Sequence, residues 1–184
     1  MNVEPIRDIN AVENIKKILN GNVRDRLLFV LGINNGLRIG DILKLKVSQL
    51  QGLKIGDTLP IVEEKTGKQN VLMVNKSVFR VFQEYLDAYK PSPDSYVFFS
   101  RKGKEHLTVE ACNRMVKSWC RAVGLKGNYG THTLRKTWGY IQHSRFGASS
   151  EIICRRFNHS SPRVTMRYLG ITSADVETAL LRDL

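Results

Sequence analysis

A chain of 184 residues, 42% hydrophobic and 25% charged, is long enough for one domain with a real core. Its formal net charge of +12 favours an anionic partner, nucleic acid first, and no apolar run approaches the roughly 18 residues of a membrane span; the longest, LLFVLGI, is broken by glycine. The three cysteines, Cys112, Cys120 and Cys154, are odd in number and lack a C-x-x-C spacing, which argues against a disulfide framework or a zinc site and for reduced thiols in a cytoplasmic protein.

In chain order, Asn10 is the expected cap of a helix over residues 11–19, ended by Asn20-Gly21. VRDRLLFVLGIN, residues 23–34, reads as a buried helix that stops at Asn35-Gly36. GLRIGDILKLKV starts a further helix near Gly40, with Ile42, Leu43 and Leu45 apolar. The period changes over residues 53–75, where short β-rich runs and a Thr-Gly-Lys turn predict a small antiparallel sheet with its tight turn around Thr66–Lys68. Residues 76–89 return to helical spacing, with Val78, Val81, Phe82, Tyr85, Leu86 and Tyr89 in one stripe. Pro91 and Pro93 break the chain, YVFFS reads as a short strand, and Thr108 caps the helix that follows. Thr131 is the expected cap of THTLRKTWGYIQHSRFG, Ser149 or Ser150 that of EIICRRFN, and Pro162 suits the first turn of the next helix. TSADVETALLRDL carries a capping pattern from Thr172 to Asp175 and an apolar stripe of Val176, Ala179, Leu180 and Leu184. The fold class expected is α+β, mainly helical with one small antiparallel sheet.

Charge is unevenly spread. Residues 120–170 hold nine lysines and arginines against one acid, Glu151, the footprint expected of a surface that meets a phosphate backbone. Within that segment FNHSSPRVTMRYLG sets Tyr168 nine residues after His159. A phenol with a pKa of about 10 is a poor nucleophile, and nearby cations would favour its phenolate. Three further features stand out: Arg38 in the bend of NNGLRIGD, Lys65 at the β-turn of EEKTGKQN, and His132 with Arg135, three apart and so on one helix face. Each has an ordinary alternative. Arg38 could be a surface ion-pair residue, His132 a cap or core histidine, and Lys65 and Lys68 solvated turn residues. Tyr168 could be core, as Tyr85, Tyr89, Tyr96 and Tyr140 are expected to be. Tyr129 lies in a loop, and His106 and His143 take no assigned role.

G-L-R-x-x-[DE]-x-x-x-L, then H-x-L-R, then H-x-S-x-x-x-T-x-x-Y-[LI] occur in that order, and together they resemble the catalytic domain of the tyrosine recombinase, or phage integrase, family over nearly the whole chain. The resemblance implies a site-specific recombinase or integrase of a mobile genetic element. Tyr168 would attack a DNA phosphate and form a 3′-phosphotyrosyl bond. Arg38 and Arg135 would bind the non-bridging oxygens, Lys65 would protonate the leaving 5′-oxygen (Lys68 being the alternative), and His132 would be general acid/base. His159 would hydrogen-bond the phosphate, and Asp41 takes the family's acidic position as a supporting residue. The resemblance also implies no cofactor, no metal and no ATP, with double-stranded DNA as partner, a homotetramer on paired sites and no membrane. It makes residues 1–184 the catalytic domain without a core-binding domain, and residues 172–184 a C-terminal exchange helix. Where the family often has Leu-Gly before its second histidine, this chain has Phe157-Asn158, and asparagine tolerates the left-handed turn. A DNA-binding remnant that modulates a full-length recombinase, and a type IB topoisomerase-like relaxing enzyme, are the alternatives.

Overall fold

Asp8 decides where the first helix begins. Its carboxylate accepts the Asn10 amide at 2.8 Å, so α1 spans Ile9–Ile18 and starts two residues before the segment an Asn10 cap would set. The structure, a computed structural model, describes residues 3–100, 103, 105–171 and 181. α2, Val23–Asn35, is buried nearly all round and is the central helix. It packs on α5, Lys76–Tyr89, and on α7, Thr131–Ser144.

α2 ends where expected, at Gly36, whose φ of 58° is left-handed. A side chain there would meet the Trp138 ring at 2.7 Å, so packing as well as conformation demands glycine. The chain turns through extended Arg38 into α3, Ile39–Leu43. This helix is shorter than its apolar spacing suggested. It stops at Lys44, and a separate turn, α4 (Val47–Leu50), lets Leu45, Val47 and Leu50 all face the core.

The sheet is a single hairpin. β1 (Thr58–Val62) and β2 (Gln69–Met73) run antiparallel, with Thr58 opposite Met73 and Val62 opposite Gln69. Ile61 and Leu72 point inward, while Val62 and Val71 face solvent. YVFFS is not a strand: only isolated bridges, Lys46 to Tyr96 and Phe99 to His106, form there, because the neighbouring segments are too short to build a ladder.

Thr108 caps α6, Val109–Ala122, as expected. α7 is capped by Gly130 rather than Thr131, and Thr133 Oγ1 accepts the Gly130 amide at 3.0 Å. Ser149 caps α8, Ser150–Phe157, and Ser161 with Pro162 opens α9, Pro162–Leu169. Of the tyrosines expected in the core, Tyr85 is buried there. Tyr89 is 41% exposed, and Tyr96 and Tyr140 are half-buried under the cations of Lys46 and Arg7. Loop-borne Tyr129 is instead buried.

The main core joins α1, α2, the hairpin, α5 and α6, while a smaller one gathers Ile153, Phe157 and Leu169, with Trp138 and Tyr168 against it. Close approach of α7 makes this second core possible: a side chain at Gly139 would meet Phe157 at 2.7 Å. The exchange helix expected at 172–184 lies outside the described residues, Leu181 excepted. Among the described residues no helix is long and apolar enough to cross a membrane.

Candidate active site

Arg135 is the centre on which the site is built. It is 3% exposed, with one guanidinium nitrogen donating to Gly36 O at 2.8 Å and another to Phe157 O at 2.7 Å. Its charge sits 4.3 Å from the centre of the Phe157 ring. These contacts fasten the ends of α2 and α8 to α7. Burial lowers the Arg135 pKa to about 10, so the guanidinium stays charged at neutral pH.

One turn earlier on α7, His132 keeps an edge open to solvent while protein packs around the rest of its ring, and it meets Tyr168: Nδ1 and Oη are 3.1 Å apart. With the histidine proton on Nε2, the tyrosine hydroxyl donates to Nδ1. The Arg135 charge also acts on the Tyr168 oxygen. Burial pushes the phenol up to about 12, against the pull of Arg135 and Arg38. The expectation that cations favour the phenolate therefore fails for the site by itself: half-burial against the small core outweighs them. Burial and the charges of Arg135, Lys136, Lys65 and Arg38 lower the His132 pKa below its usual value. A neutral base thus faces a protonated phenol.

His159 follows Asn158, whose φ of 52° makes the left-handed turn that asparagine was expected to tolerate. Its Nδ1 lies 3.0 Å from Thr165 Oγ1, and its ring centre 5.1 Å from that of Tyr168. Burial, then Arg135 and Arg38, lower its pKa to about 4.

Arg38 reaches the site from the α2–α3 bend and forms an ion pair with Glu63. Asp41 faces the same hairpin, its Oδ1 accepting the Glu64 amide at 3.1 Å. Burial raises the Asp41 pKa. Lys65 is exposed on the β-turn, with no hydrogen-bond or ion-pair partner among the described residues. Its charge nevertheless counts among those acting on His132. Lys68 is held instead, donating to Asn158 O at 3.2 Å. Arg38, His132, Arg135, His159 and Tyr168 thus come together, with both lysines on the hairpin above them.

Sequence reasoning missed four participants. Arg156 donates to Asn35 O and, at 2.7 Å, to Asn70 Oδ1, joining α8 to α2 and the hairpin. Asn70 donates to Glu63 Oε1 at 2.9 Å. Lys136, 1% exposed, places Nζ 4.7 Å from the centre of the Tyr168 ring. Glu63 is fully buried, and strand alternation carried the signal: it falls on the inward face of Ile61. Among the described residues no group of histidine, cysteine and carboxylate side chains could hold a metal.

The phage integrase family model matches residues 7–174. The chain is 38% identical over 170 residues to the probable integrase/recombinase YoeC of Bacillus subtilis, covering 92% of this chain and 90% of that protein. It is 28% identical over 171 residues to tyrosine recombinase XerA of Pyrococcus horikoshii, covering 91% of this chain but 58% of XerA. Among solved structures, a XerA recombinase superposes with a TM-score of 0.77 at 16% identity, over 98% of this chain and 67% of that one. XerH bound to a palindromic difH substrate gives 0.75 at 19%, over 97% of this chain and 53% of that one. The mainly helical fold with its one hairpin and the match over residues 7–174 lead to one conclusion: this chain belongs to the phage integrase family and has the fold of a tyrosine recombinase catalytic domain.

Proposed function

We propose that the chain breaks and rejoins DNA strands through a covalent tyrosine intermediate. The observation that carries this is the 3.1 Å contact between His132 and Tyr168 beside the Arg135 guanidinium. Tyr168 Oη attacks a backbone phosphorus while His132 takes its proton. The bond from phosphorus to the 5′-oxygen breaks, leaving the phosphate on Tyr168 as a 3′-phosphotyrosyl ester. Lys65 gives the departing 5′-oxygen its proton. Arg38 and Arg135 offset the charge on the non-bridging oxygens in the pentavalent transition state, and His159 adds a hydrogen bond there. Rejoining reverses each step, and because the ester stores the phosphodiester energy no ATP enters. The two guanidinia supply the charge stabilisation that a metal would otherwise provide.

Double-stranded DNA as partner is supported by the +12 net charge and by the DNA-bound state of the XerH neighbour. Assembly as a homo-oligomer on paired sites, with residues 172–184 exchanged between subunits, and a cytoplasmic location belong to the same reading. The test is a nicked duplex whose cut end diffuses away after cleavage. Wild type accumulates a denaturation-resistant adduct with DNA, and Tyr168→Phe accumulates none. Absence of any wild-type adduct refutes the reading.

A further inference from the structure

A fully buried carboxylate has no part in the chemistry proposed above. Glu63, 0% exposed, lies one residue past β1 and two before Lys65. Burying a carboxylate is unfavourable unless donors surround it. Three do. Thr66 Oγ1 donates to Oε2 at 2.7 Å, Asn70 Nδ2 donates to Oε1 at 2.9 Å, and Arg38 pairs with Oε2. The same residue closes the turn with its main chain: its amide donates to Lys68 O at 2.9 Å, and its carbonyl accepts the Gly67 amide at 2.8 Å. Hydrogen bonds and the Arg38 charge outweigh burial and hold the carboxyl at about 2, so it is ionised at any working pH.

Arg38 and Lys65 come from separate elements, a bend between two helices and the tip of a hairpin. Their proposed tasks must nonetheless act on one phosphorus centre, the first on its non-bridging oxygens and the second on its leaving oxygen. Glu63 bridges the two elements, because its main chain shapes the turn while its side chain grips Arg38. Asp41 provides a second tie through the Glu64 amide.

We infer that Glu63 is a positioning residue that sets the Lys65 turn against the Arg38 guanidinium, so that one buried side chain aligns phosphate binding with leaving-group protonation. The inference rests on the reading under Proposed function. Glu63 touches neither the phosphate nor the leaving oxygen. Its identity matters because three donors converge on it. A glutamine offers one acceptor oxygen and turns its own NH₂ toward a donor, so at least one of the three contacts is lost.

The experiment compares wild type, Glu63→Gln and Thr66→Val on two nicked substrates, one with the natural 5′-oxygen leaving group and one with a 5′-thiol, which departs without a proton. Misplacement of catalytic groups by an ångström costs on the order of 100-fold, so Glu63→Gln is expected to form adduct about 100-fold more slowly on oxygen. On the thiol, the part due to the displaced Lys65 disappears, and a residual defect of about 10-fold from Arg38 remains. Thr66→Val removes one donor from an exposed turn, and its smaller defect is also expected to shrink on the thiol. A purely structural loss would scale both substrates equally, so equal loss overturns the inference, as does a wild-type rate for Glu63→Gln on oxygen. Amide exchange supplies a readout that needs no activity. Glu63→Gln is expected to speed exchange at Gly67 while leaving the Ile61 and Leu72 amides, at hydrogen-bonded positions of the ladder, protected; unchanged exchange at Gly67 overturns the inference. Failure of wild type to form adduct on either substrate would refute the recombinase reading, while the exchange result would still decide what Glu63 does.

Discussion

Removing His132 tests the pairing of a neutral base with a protonated phenol. With Tyr168 at about 12, the phenolate fraction at pH 7 is about 10⁻⁵, so attack without a base is slow. A positioned general base contributes roughly 100- to 10,000-fold, and His132→Ala is expected to slow adduct formation within that range at neutral pH. The pH profile is the sharper readout. In wild type the rate rises as His132 loses its proton, at a pH below the usual histidine value because burial and four neighbouring cations lower it, and then levels off. In His132→Ala the rate tracks the phenolate itself and climbs about tenfold per pH unit from 7 toward the range of Tyr168. The assay is single-turnover adduct formation on the nicked duplex at saturating DNA, from pH 5 to 10. A variant profile parallel to wild type, or a loss below threefold, would show that His132 does not take the tyrosine proton.

Four further outcomes are expected. Arg135→Ala leaves Gly36 O and Phe157 O without their shared donor, so it should lose about 3 kcal/mol in urea unfolding besides its activity. Glu63 is fully buried and its pKa is lowered from 4.5 to about 2, so its ionised form contributes about 3 kcal/mol at neutral pH. That contribution is present above pH 4.5 and lost as pH falls toward 2, so the stability difference between wild type and Glu63→Gln, followed by acid unfolding, should narrow over that window. DNA affinity should fall steeply with salt in binding titrations, because phosphate contacts by the basic segment at 120–170 dominate it. Lys65→Ala should recover most of its rate on a 5′-thiol substrate, whereas Lys68→Ala, which loses only a contact to Asn158 O, should show a smaller defect that is the same on both.

Local order was legible wherever one residue dictates it. Gly36, Thr108 and Pro162 mark helix ends or starts in the sequence, and each does so in the structure, while Ser149 is the one of two candidate serines that caps α8. The errors came where a neighbouring residue took the cap. Asp8 wins over Asn10, and Gly130 over Thr131, because a cap is chosen by how the preceding chain enters the helix. Lys44 ends α3 because tertiary packing needs Leu45 and Val47 turned inward, which helical spacing alone does not reveal. The residues drawn together at the site were recognisable from their motifs. The residues that hold them were not: Glu63, Asn70 and Arg156 matter through partners far along the chain, and only the fold brings those partners near. The ionisation of Tyr168 was unreadable for the same reason. The cations around it are visible in the sequence, but the burial that outweighs them arises from Phe157 and its neighbours packing beneath the ring.

Two of the left-handed helix ends explain how so many cations can be crowded together. α2 stops at Gly36 and α8 at Asn158, and the C-terminal carbonyls of both helices converge on one region. A helix C-terminus carries about half a negative charge on its unpaired carbonyls. Arg135 takes a carbonyl from each end, Arg156 takes Asn35 O, and Lys68 takes Asn158 O. The helix ends therefore act as fixed counter-charges that offset cation repulsion without neutralising the cations, as a carboxylate would. Glu63, the buried acid of the hairpin, pairs with Arg38. On the proposed reading, a phosphate entering this region meets Arg135 already oriented by its carbonyl contacts and Arg38 already held by Glu63. Little reorganisation is then left for the moment of reaction, and it is this preorganisation that makes such charges effective in stabilising a transition state. Replacing Gly36 or Asn158 with a β-branched residue would disturb the carbonyl geometry first and the charges second, which places the origin of the site's electrostatics in two backbone turns.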